Sequence, residues 1–339
     1  MTNLQQALAL IADGHDLDAE SMRLAMTDIM TGQAEQAQIG GFLMALRVKG
    51  ETSTEIAAAA GVMRELASKV DIDSEGLTDI VGTGGDGASL FNVSTASAFV
   101  AAAAGVRVAK HGNRSVSSKS GAADVLEAAG CRLDLNAAQV TTLINELGVG
   151  FLFAPSHHSA MKHAIGARKA LGLRTLFNLL GPLTNPASAP HQVLGVFSES
   201  LVVPMAEVMQ ALGAKHVMVV HSDDGLDEIS PVASTSVAEL KNGDIHQYRI
   251  DPSSFGVDLD DLSSLAVDDA DQSLALIQKA LGGQAGPAAD MIALNAGAAI
   301  YVSGQVPDLE SGVARARDVV ASGQALERLN AYAARSQAL

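Results

Sequence analysis

Apolar side chains recur every three or four positions through residues 1–70, and no stretch of this block alternates apolar and polar residues as a half-buried strand does. Asp18 precedes one apolar stripe, at a place where a short polar side chain caps the first turn of a helix. Thr52, followed three residues later by Glu55, has the spacing of a capping box at the start of another helix. The pattern predicts a small all-helical domain over residues 1–70.

Beyond residue 70, short apolar runs alternate with longer segments of helical spacing. Such alternation favours parallel strands with helices packed on the faces of the sheet. Helical spacing returns over residues 160–186, and we expect this segment to complete the helical domain, which is then discontinuous. Residues 71–159 and 187–339 form the expected large α/β domain, with a mainly parallel central sheet and helices around it. The predicted strands are 77–81, 106–110, 151–154, 192–196 and 217–221, and the helices after the first two are 94–105 and 122–130.

Two glycine-rich loops dominate the expected α/β domain: 78–95 (TDIVGTGGDGASLFNVST) and 107–124 (RVAKHGNRSVSSKSGAAD). Each follows a predicted strand and leads into an alanine-rich helix. A glycine turn at a helix N-terminus presents backbone N–H groups to an anion, and the helix dipole adds favourable partial charge. Two such loops occur in succession, and the second contains the basic residues Lys110, His111, Arg114 and Lys119. We therefore expect a pocket for a ligand with more than one phosphate.

The charge distribution supports this interpretation. The chain contains 38 acidic and 22 basic side chains, a net charge of −16, yet no Asp or Glu occurs from Gly87 to Ala123. An acidic protein that keeps carboxylates out of one segment leaves room there for a negative ligand. A buried alanine-rich helix between two surface loops would also lack acids, but it does not explain the clustered cations.

Composition limits the partners and the compartment. The strongly negative charge argues against nucleic acid, whose binding requires a basic surface. No apolar run reaches the roughly 18 residues that span a bilayer, so no membrane partner is expected. Cys131 is the single cysteine and cannot form an internal disulfide, which fits a reducing compartment. We therefore expect a cytoplasmic enzyme that acts on small molecules.

A third string, VMVVHSDDGLDEIS at 217–230, ends a buried strand in a cluster of carboxylates. Carboxylate oxygens suit Mg²⁺, which usually binds one or two protein carboxylates together with water and substrate phosphates. The alternative is a solvated acidic turn, and we expect that role for Asp223 and Asp224. Beside two phosphate loops, the string favours a magnesium site.

Other motifs for phosphate binding and nucleophilic catalysis are absent from the sequence. Neither loop ends in the Lys-Ser/Thr pair of a Walker sequence, and GTGGDG lacks the glycine spacing of a dinucleotide fingerprint. No GxSxG or CxxC motif occurs. The residues therefore indicate a magnesium-dependent site for a phosphorylated sugar, without a covalent nucleophile.

Four strings resemble those of anthranilate phosphoribosyltransferases: GTGGDG, NVSTASAFVAAAAGVRVAKHGNRSVSSKSG, FLFAPSHHSAMKHAIGARKALGLRTLFNLLGPLTNP and HSDDGLDEIS. The resemblance extends over nearly the whole chain, to NAGAAIYVSG near the C-terminus. It implies transfer of the phosphoribosyl group from 5-phosphoribosyl 1-pyrophosphate (PRPP) to the amino group of anthranilate, in tryptophan biosynthesis. It also implies a nucleoside phosphorylase/phosphoribosyltransferase-like fold, a homodimer formed through the helical domain, and two Mg²⁺ ions per subunit.

The resemblance also implies roles for individual residues. Lys110 and Arg168 are the most important of them, and they act by charge and positioning because no catalytic acid or base is expected. The metal would be bound by Ser94, Asp227 and Glu228. Anthranilate would contact Gly82, Asn113, His157, Arg168 and Gly181. PRPP would contact Gly82, Gly85, Asp86, Leu90, Asn92, Val93, Ser94, Thr95, Lys110, His111, Gly112, Asn113, Arg114, Ser115, Val116, Ser117, Ser118 and Ala122.

Some of these assignments leave alternatives open. Leu90 and Ala122 stand where the family usually has hydroxyl side chains, so a phosphate contact is lost unless the backbone makes it. His111 either caps a strand or touches substrate. One of His157 and His158 is expected to face the acceptor, and the other to be structural.

Two other functions are alternatives at this point. A pyrimidine nucleoside phosphorylase has the same general architecture, although its phosphate loop differs from GTGGDG followed by NVST. A non-catalytic, nucleic-acid-binding relative is opposed by the charge of −16 and by the intact KHGNRS and DE motifs. Phosphorolysis of thymidine would decide for the first, and a DNA-shift assay at low salt for the second.

Overall fold

The computed structural model describes residues 1–85, 87–115 and 119–339. The predicted PRPP contacts Asp86, Val116, Ser117 and Ser118 lie outside the described residues. The helices, in chain order, are α1 Asn3–Ala12, α2 Ala19–Met30, α3 Gln36–Lys49, α4 Ser53–Leu66, α5 Val93–Ala103, α6 Ala122–Ala128, α7 Ala137–Leu147, α8 Ala154–His157, α9 Lys162–Leu171, α10 Leu176–Leu180, α11 Val202–Ala211, α12 Ala270–Leu281, α13 Pro287–Val302, α14 Leu309–Ser322 and α15 Gln324–Ala338. The strands are β1 Leu77–Gly82, β2 Arg107–Gly112, β3 Val149–Phe153, β4 His191–Gly195, β5 His216–Ser222, β6 Thr235–Lys241 and β7 Asp244–Ile250.

The helices before β1 begin where their capping residues predict. The Asp18 carboxylate accepts the Ser21 N–H at the start of α2. At α4 the Thr52 hydroxyl accepts the Glu55 N–H, and the Glu55 carboxylate accepts the Thr52 N–H, so the predicted capping box is present. Residues 1–70 contain no strand. The all-helical N-terminal part of the fold is therefore confirmed.

The strands of the described residues form one sheet in the order β3-β2-β1-β4-β5-β6-β7. The pairs from β3 to β5 are parallel, whereas β6 and β7 are antiparallel. Helices α5 and α13 pack together over β1 and β4, and α11 packs on β5 and β6. The expectation of a mainly parallel α/β sheet with helices around it is confirmed.

The antiparallel hairpin of β6 and β7 is missing from the predicted strands. Asn242 and Gly243 connect the two strands, with φ values of +55° and +89°. An Asn-Gly pair with positive φ at both residues is the preferred two-residue hairpin connection. The dipeptide was the available signal for these strands.

Two apolar cores lie on opposite faces of the sheet. Along β5, Met218 and Val220 belong to one core and Val217 and Val219 to the other, as alternation along a strand requires. The first core joins the sheet to α5 and α13. The second runs from the sheet through α11 to α1–α4, α9 and α10. The N-terminal helices therefore pack as one continuous body with one face of the sheet.

The central parallel strands end in glycine at the same edge of the sheet. Gly82 ends β1, Gly112 ends β2 and Gly195 ends β4, and Gly82 is paired in register with Gly195. Ligands of open α/β sheets bind outside the carboxyl ends of the strands. Because glycine has no side chain, these three strand ends leave room at that edge.

Within the described ranges, no helix combines the length and apolarity needed to cross a membrane.

Candidate active site

A cavity opens at this carboxyl edge, and predicted residues from three separate segments line it together: Gly82, Ser94, Asp227 and Glu228. A Cβ on Gly195 would lie 1.5 Å from the Asp227 carbonyl oxygen. A Cβ on Gly82 would lie 2.2 Å from Asp227 Oδ2. Because any larger residue would collide with Asp227, these two glycines allow Asp227 to lie against the strand ends.

Asp227 is 7% exposed, and its Oδ2 accepts the Gly84 N–H at 2.7 Å. Gly84 has a φ of +65°, a conformation that glycine adopts without strain. The first glycine loop therefore holds the buried carboxylate. Asp223 and Asp224 are exposed, as expected, and Asp223 pairs with Arg249.

Lys110 lies beneath this cavity with only 3% of its surface exposed. Its Nζ donates to the Ile80 carbonyl oxygen at 2.7 Å and to Ser94 Oγ at 3.1 Å. Burial lowers the pKa of Lys110 to about 8, while the charges of Asp79 and Glu228 act in the opposite direction. The Ile80 carbonyl oxygen and Ser94 Oγ are the two acceptors that the described residues give the ammonium. Since an ammonium has three N–H donors, the third can reach a further acceptor.

The N-terminus of α5 opens toward the same place. Asn92 caps the helix, because its Oδ1 accepts the Thr95 N–H at 3.0 Å, and the Ser94 hydroxyl lies 3.3 Å from the same oxygen. The Asn92 N–H in turn donates to Ser273 Oγ at 2.9 Å. Val93 and Thr95 are buried. The first turn of α5 is thus fixed by side-chain bonds, with its dipole directed at the cavity.

A buried carboxylate that the sequence reasoning missed organises the strands below. Asp79 is fully buried in β1, its Oδ1 accepts the His111 N–H at 3.1 Å, and its Oδ2 accepts from Asn185 Nδ2 at 2.7 Å. Burial raises the pKa of Asp79 to about 6, against the effect of the Lys110 charge. An acid inside an otherwise apolar predicted strand was the signal for it.

His111, the residue after Lys110 in β2, forms a second cluster with His158. Their rings pack edge to face with centroids 5.2 Å apart, and His111 Nδ1 lies 3.1 Å from the Gly181 carbonyl oxygen. Burial lowers the pKa of His111 to about 3 and that of His158 to about 4. Within the described part of the chain, the Nε2 atom of each ring has no hydrogen-bond partner. Two buried imidazoles are therefore neutral near pH 7.

His157 takes a different position from its neighbour. Its Nδ1 lies 2.9 Å from the Ser68 carbonyl oxygen, and the Ser68 N–H donates to the His157 carbonyl oxygen at 2.8 Å. These bonds tie α8 to the segment that follows α4. Of the two adjacent histidines, His158 is the one whose ring packs against His111.

The His158 pKa has a consequence for acid stability. The pKa of His158 is 6.5 in the unfolded chain and about 4 in the folded one. As pH decreases over that window, His158 therefore lowers the free energy of unfolding by about 3 kcal/mol. His158→Gln is expected to remove this share of the pH dependence in urea titrations from pH 7 to 4. The raised pKa of Asp79 acts oppositely below pH 6, but equally in both proteins.

Exposed His15 provides the control for this measurement. His15→Gln should leave the slope of unfolding free energy against pH as it is in the unsubstituted protein. An unchanged slope in the His158 variant would contradict a buried neutral imidazole at that position.

The second glycine loop is bonded to the acidic side chains of α6. Arg114 pairs with Glu127 and Asp124, and its guanidinium lies 5.6 Å from the Phe153 ring centroid. The Ser115 N–H donates to Asp124 Oδ2 at 2.9 Å. These contacts stabilise the loop against α6. Other predicted residues of the segment are exposed Asn113, whose Oδ1 accepts the Arg114 N–H, and Gly112, where a Cβ would meet the Phe151 ring at 2.8 Å.

The two residues that replace hydroxyl side chains have apolar surroundings. Leu90 is partly buried against the larger core and forms an isolated bridge with Ala266. Ala122 is 8% exposed at the first position of α6. Any contact of these two positions with phosphate would therefore be made by the backbone.

Arg168 and Gly181 connect the helical segment to the histidine cluster. The Arg168 guanidinium lies 5.2 Å from the Phe177 ring centroid, and burial lowers its pKa. Phe177 and Gly181 are four residues apart on continuous helical backbone, one turn from each other. Among the described residues, the guanidinium forms no hydrogen bond or ion pair with another predicted site residue.

A second arginine from the helical segment, not predicted from the sequence, reaches the first glycine loop. Arg174 donates to the Gly85 carbonyl oxygen, and its guanidinium stacks 4.4 Å from the Phe197 ring centroid. Gly85 has a φ of +84°. The available sequence signal was a basic residue in the short connection 172–175 between α9 and α10.

The donor set of the cavity fits Mg²⁺. The described residues contain no group of three or more His, Cys, Asp or Glu arranged as a metal cage. Two carboxylates and a hydroxyl line the cavity instead, namely those of Asp227, Glu228 and Ser94. Mg²⁺ keeps several waters and usually takes one or two carboxylates along with substrate phosphates, so a sparse oxygen site suits it.

Comparison with known proteins agrees with this geometry. A family model described as "Glycosyl transferase family, a/b domain" matches residues 74–326, and one described as "Glycosyl transferase family, helical bundle domain" matches residues 5–67. The anthranilate phosphoribosyltransferase of Alkalilimnicola ehrlichii is 59% identical over 330 residues, which cover 97% of this chain and 98% of that protein.

Solved structures show the same likeness. The crystal structure of anthranilate phosphoribosyltransferase from Thermus thermophilus is 44% identical with a TM-score of 0.92, covering 99% of this chain and 100% of that one. The enzyme from Saccharomyces cerevisiae in complex with PRPP and Mg is 29% identical with a TM-score of 0.90, covering 99% and 98%. The chain therefore belongs to the anthranilate phosphoribosyltransferase family, as its sequence motifs predict.

Proposed function

We propose that this chain transfers the phosphoribosyl group of PRPP to the amino group of anthranilate, giving N-(5-phosphoribosyl)anthranilate and pyrophosphate. The reaction belongs to tryptophan biosynthesis. One observation carries the proposal: Ser94, Asp227 and Glu228 converge on one cavity, with the Lys110 ammonium directly bonded to Ser94. That cavity lies at the carboxyl edge of the sheet. A relative 59% identical to this chain is named anthranilate phosphoribosyltransferase.

The donor would bind at the edge formed by the two glycine loops. Lys110 supplies a fixed positive charge, and the first turn of α5 supplies backbone N–H groups and a dipole. The Asn92 cap keeps that turn in place before any ligand arrives. Preorganised groups of this kind stabilise the negative charge that develops on departing pyrophosphate. The rest of the proposed donor contacts are those implied by the resemblance.

Ser94, Asp227 and Glu228 would hold Mg²⁺, and we propose two ions per subunit. When bound, the metal neutralises charge on the pyrophosphate leaving group. The Gly84 N–H holds Asp227 Oδ2 at 2.7 Å, so the carboxylate is oriented by the protein itself. The yeast relative that was solved with PRPP and Mg supports this use of the metal.

The acceptor would lie near Gly181, between the histidine cluster and Arg168. The guanidinium fork of Arg168 suits the planar carboxylate of anthranilate. The aromatic amine of anthranilate is neutral and already nucleophilic, so it requires positioning and no strong base. The two buried histidines stay neutral at pH 7 and do not repel the electron-poor ribosyl carbon.

A direct assay tests the proposal. Protein, anthranilate, PRPP and Mg²⁺ are mixed, and the loss of anthranilate fluorescence is followed, with each component omitted in turn. We expect a loss that requires all four. No loss in a well-folded sample contradicts the proposal, and phosphorolysis of thymidine in its place would favour the nucleoside phosphorylase alternative.

Arg168→Ala is expected to raise the KM for anthranilate by about 10–100-fold, because a charge-assisted hydrogen bond contributes about 1.5–3 kcal/mol. The KM for PRPP should change little, since the donor lies at the glycine loops. Steady-state kinetics with each substrate varied at saturating levels of the other measure both constants.

Lys169→Ala is the matched control for this substitution. Lys169 is the next residue of α9 and is exposed, so its removal changes the charge of the helix without touching the site. Equal increases of both KM values in the Arg168 variant would reject an acceptor role.

We also propose the domain boundaries, the assembly and the compartment. Residues 160–186 would complete the helical domain. The Gln36 side chain supports this, because it bonds to the backbone of both His163 and Ala167 of α9.

A homodimer through this domain is supported by exposed apolar side chains on or beside its helices, including Val48 and Leu173. Light scattering measures the mass of the assembly in solution. The proposed compartment is the cytoplasm.

A further inference from the structure

The acidic turn, defined here as residues 226–230, contains both proposed metal carboxylates but belongs to no helix or strand. Its entry is held by the Ser222 N–H, which donates to the Leu226 carbonyl oxygen at 3.1 Å. In its middle, the Asp227 carbonyl oxygen occupies the space that a side chain on Gly195 would fill. A loop that presents carboxylates at fixed positions needs a further constraint after Glu228.

Asn295, in the middle of α13, provides that constraint. Its Oδ1 accepts the Ile229 N–H at 2.9 Å, and its Nδ2 donates to the Ile229 carbonyl oxygen at 2.9 Å. The second N–H of the amide donates to the Met291 carbonyl oxygen, also at 2.9 Å. Asn295 is 2% exposed and lines the same cavity as Glu228. Both backbone groups of the residue after Glu228 are therefore bonded to one side chain from a distant helix.

The orientation of this amide is determined by its partners. Two carbonyl oxygens face Nδ2 and one N–H faces Oδ1, so the reversed amide would lose all three bonds. The helix that carries Asn295 also packs along α5. Since Ser94 is in the first turn of α5, one rigid pair of helices sets the distance between that hydroxyl and the acidic turn.

We propose that Asn295 is a positioning residue for the metal site: by bonding both backbone groups of Ile229, it fixes Asp227 and Glu228 relative to Ser94 and so sets the affinity for PRPP with Mg²⁺. This inference rests on the proposed function. Both N–H donors of the Asn295 amide are engaged by backbone carbonyl oxygens, so in this scheme it acts through the turn.

Two substitutions test the role. Asn295→Asp keeps the size of the side chain but places an oxygen against two carbonyl oxygens, and Asn295→Ala removes all three bonds. Binding of PRPP with Mg²⁺ is measured by calorimetry and by thermal stabilisation, which need no turnover. We expect at least about 10-fold weaker binding in both variants, as is usual when a partner of metal ligands is removed. The KM for anthranilate at saturating PRPP and Mg²⁺ should stay unchanged.

Ser336→Ala supplies a control for general loss of stability. Ser336 is fully buried in α15, accepts the Arg132 N–H at 2.9 Å and donates to the Ala333 carbonyl oxygen at 2.8 Å. Neither partner belongs to the acidic turn or to α13. The melting temperature of Ser336→Ala should fall while its PRPP binding stays normal. If both Asn295 variants bind like the unsubstituted protein, or if Ser336→Ala weakens binding equally, the positioning role is overturned. If the unsubstituted protein itself does not bind PRPP with Mg²⁺, the proposed function is overturned as well.

Discussion

Asp227→Asn is expected to lower kcat/KM for PRPP on the order of 10²-fold, as does the loss of other preorganised charge in active sites. The substitution keeps the shape of the side chain, and the amide oxygen can still accept the Gly84 N–H that Oδ2 accepts at 2.7 Å. What it removes is one negative charge from a cavity also lined by Glu228 and Ser94. Because Mg²⁺ binds charged oxygens in preference to amides, the Mg²⁺ concentration for half-maximal activity should rise.

Asp223→Asn isolates the effect of position from that of charge. Asp223 is in the preceding part of the same acidic string, but it is exposed and paired with Arg249 at the surface. Since surface ion pairs contribute at most about 1 kcal/mol, we expect normal kinetics and a normal Mg²⁺ requirement. Glu228→Gln should behave like the Asp227 variant. The metal assignment fails if Asp227→Asn has the same turnover and the same Mg²⁺ midpoint as the unsubstituted protein.

The parallel strands were predictable because both of their faces are buried. A strand covered on two sides reads as a continuous apolar run, so 217–221 differs from the observed β5 by only one residue at each end. Strand β7 has the sequence DIHQYRI and is largely exposed at the sheet edge. Its polar side chains hide the strand from any search for apolar runs. Only the Asn-Gly turn before it indicates a hairpin.

The site was predictable where a residue type alone carries the chemistry. The predicted residues Gly82, Ser94, Asp227 and Glu228 do line one cavity, whereas their roles toward phosphate and metal stay predictions. Asp79 had a local signal, an acid in an apolar strand, but its partner Asn185 lies far along the chain. Asn295 was missed because its role exists only through distant Ile229. Nothing local to an isolated Asn in an apolar helix distinguishes a clamp from an ordinary buried amide.

The cations of the second loop show the same difficulty. In the sequence, Lys110, Arg114 and Lys119 are together the cations of the second glycine loop that favour a phosphate pocket. In the structure Arg114 pairs with Glu127, and Lys119 pairs with Asp268 across 149 residues of chain. A sequence does not reveal such a pair when the acid lies far along the chain, as Asp268 does. Lys110 differs from both because it is buried and bonded to a side chain of the cavity.

Lys110→Met is therefore expected to raise the KM for PRPP by about 10–100-fold, which corresponds to the loss of one charge-assisted contact of about 1.5–3 kcal/mol. Methionine fills much of the same volume without a charge or a donor. The free energy of unfolding should also fall, because buried Asp79 loses a nearby positive charge and the Ile80 carbonyl oxygen loses its donor. Urea titration of the unliganded protein measures this second effect separately from the kinetics.

Lys119→Met removes the same charge from the same loop, but at an exposed position that pairs with exposed Asp268. We expect it to leave the KM for PRPP within about 2-fold, as for other surface ion pairs. A third variant, Lys110→Gln, keeps a hydrogen-bond donor and loses only the charge. If charge is what binds the donor substrate, Gln should resemble Met in KM while recovering part of the lost stability. Equal KM values for PRPP in Lys110→Met and Lys119→Met would show instead that the loop acts through its backbone, and that the buried lysine serves the fold alone.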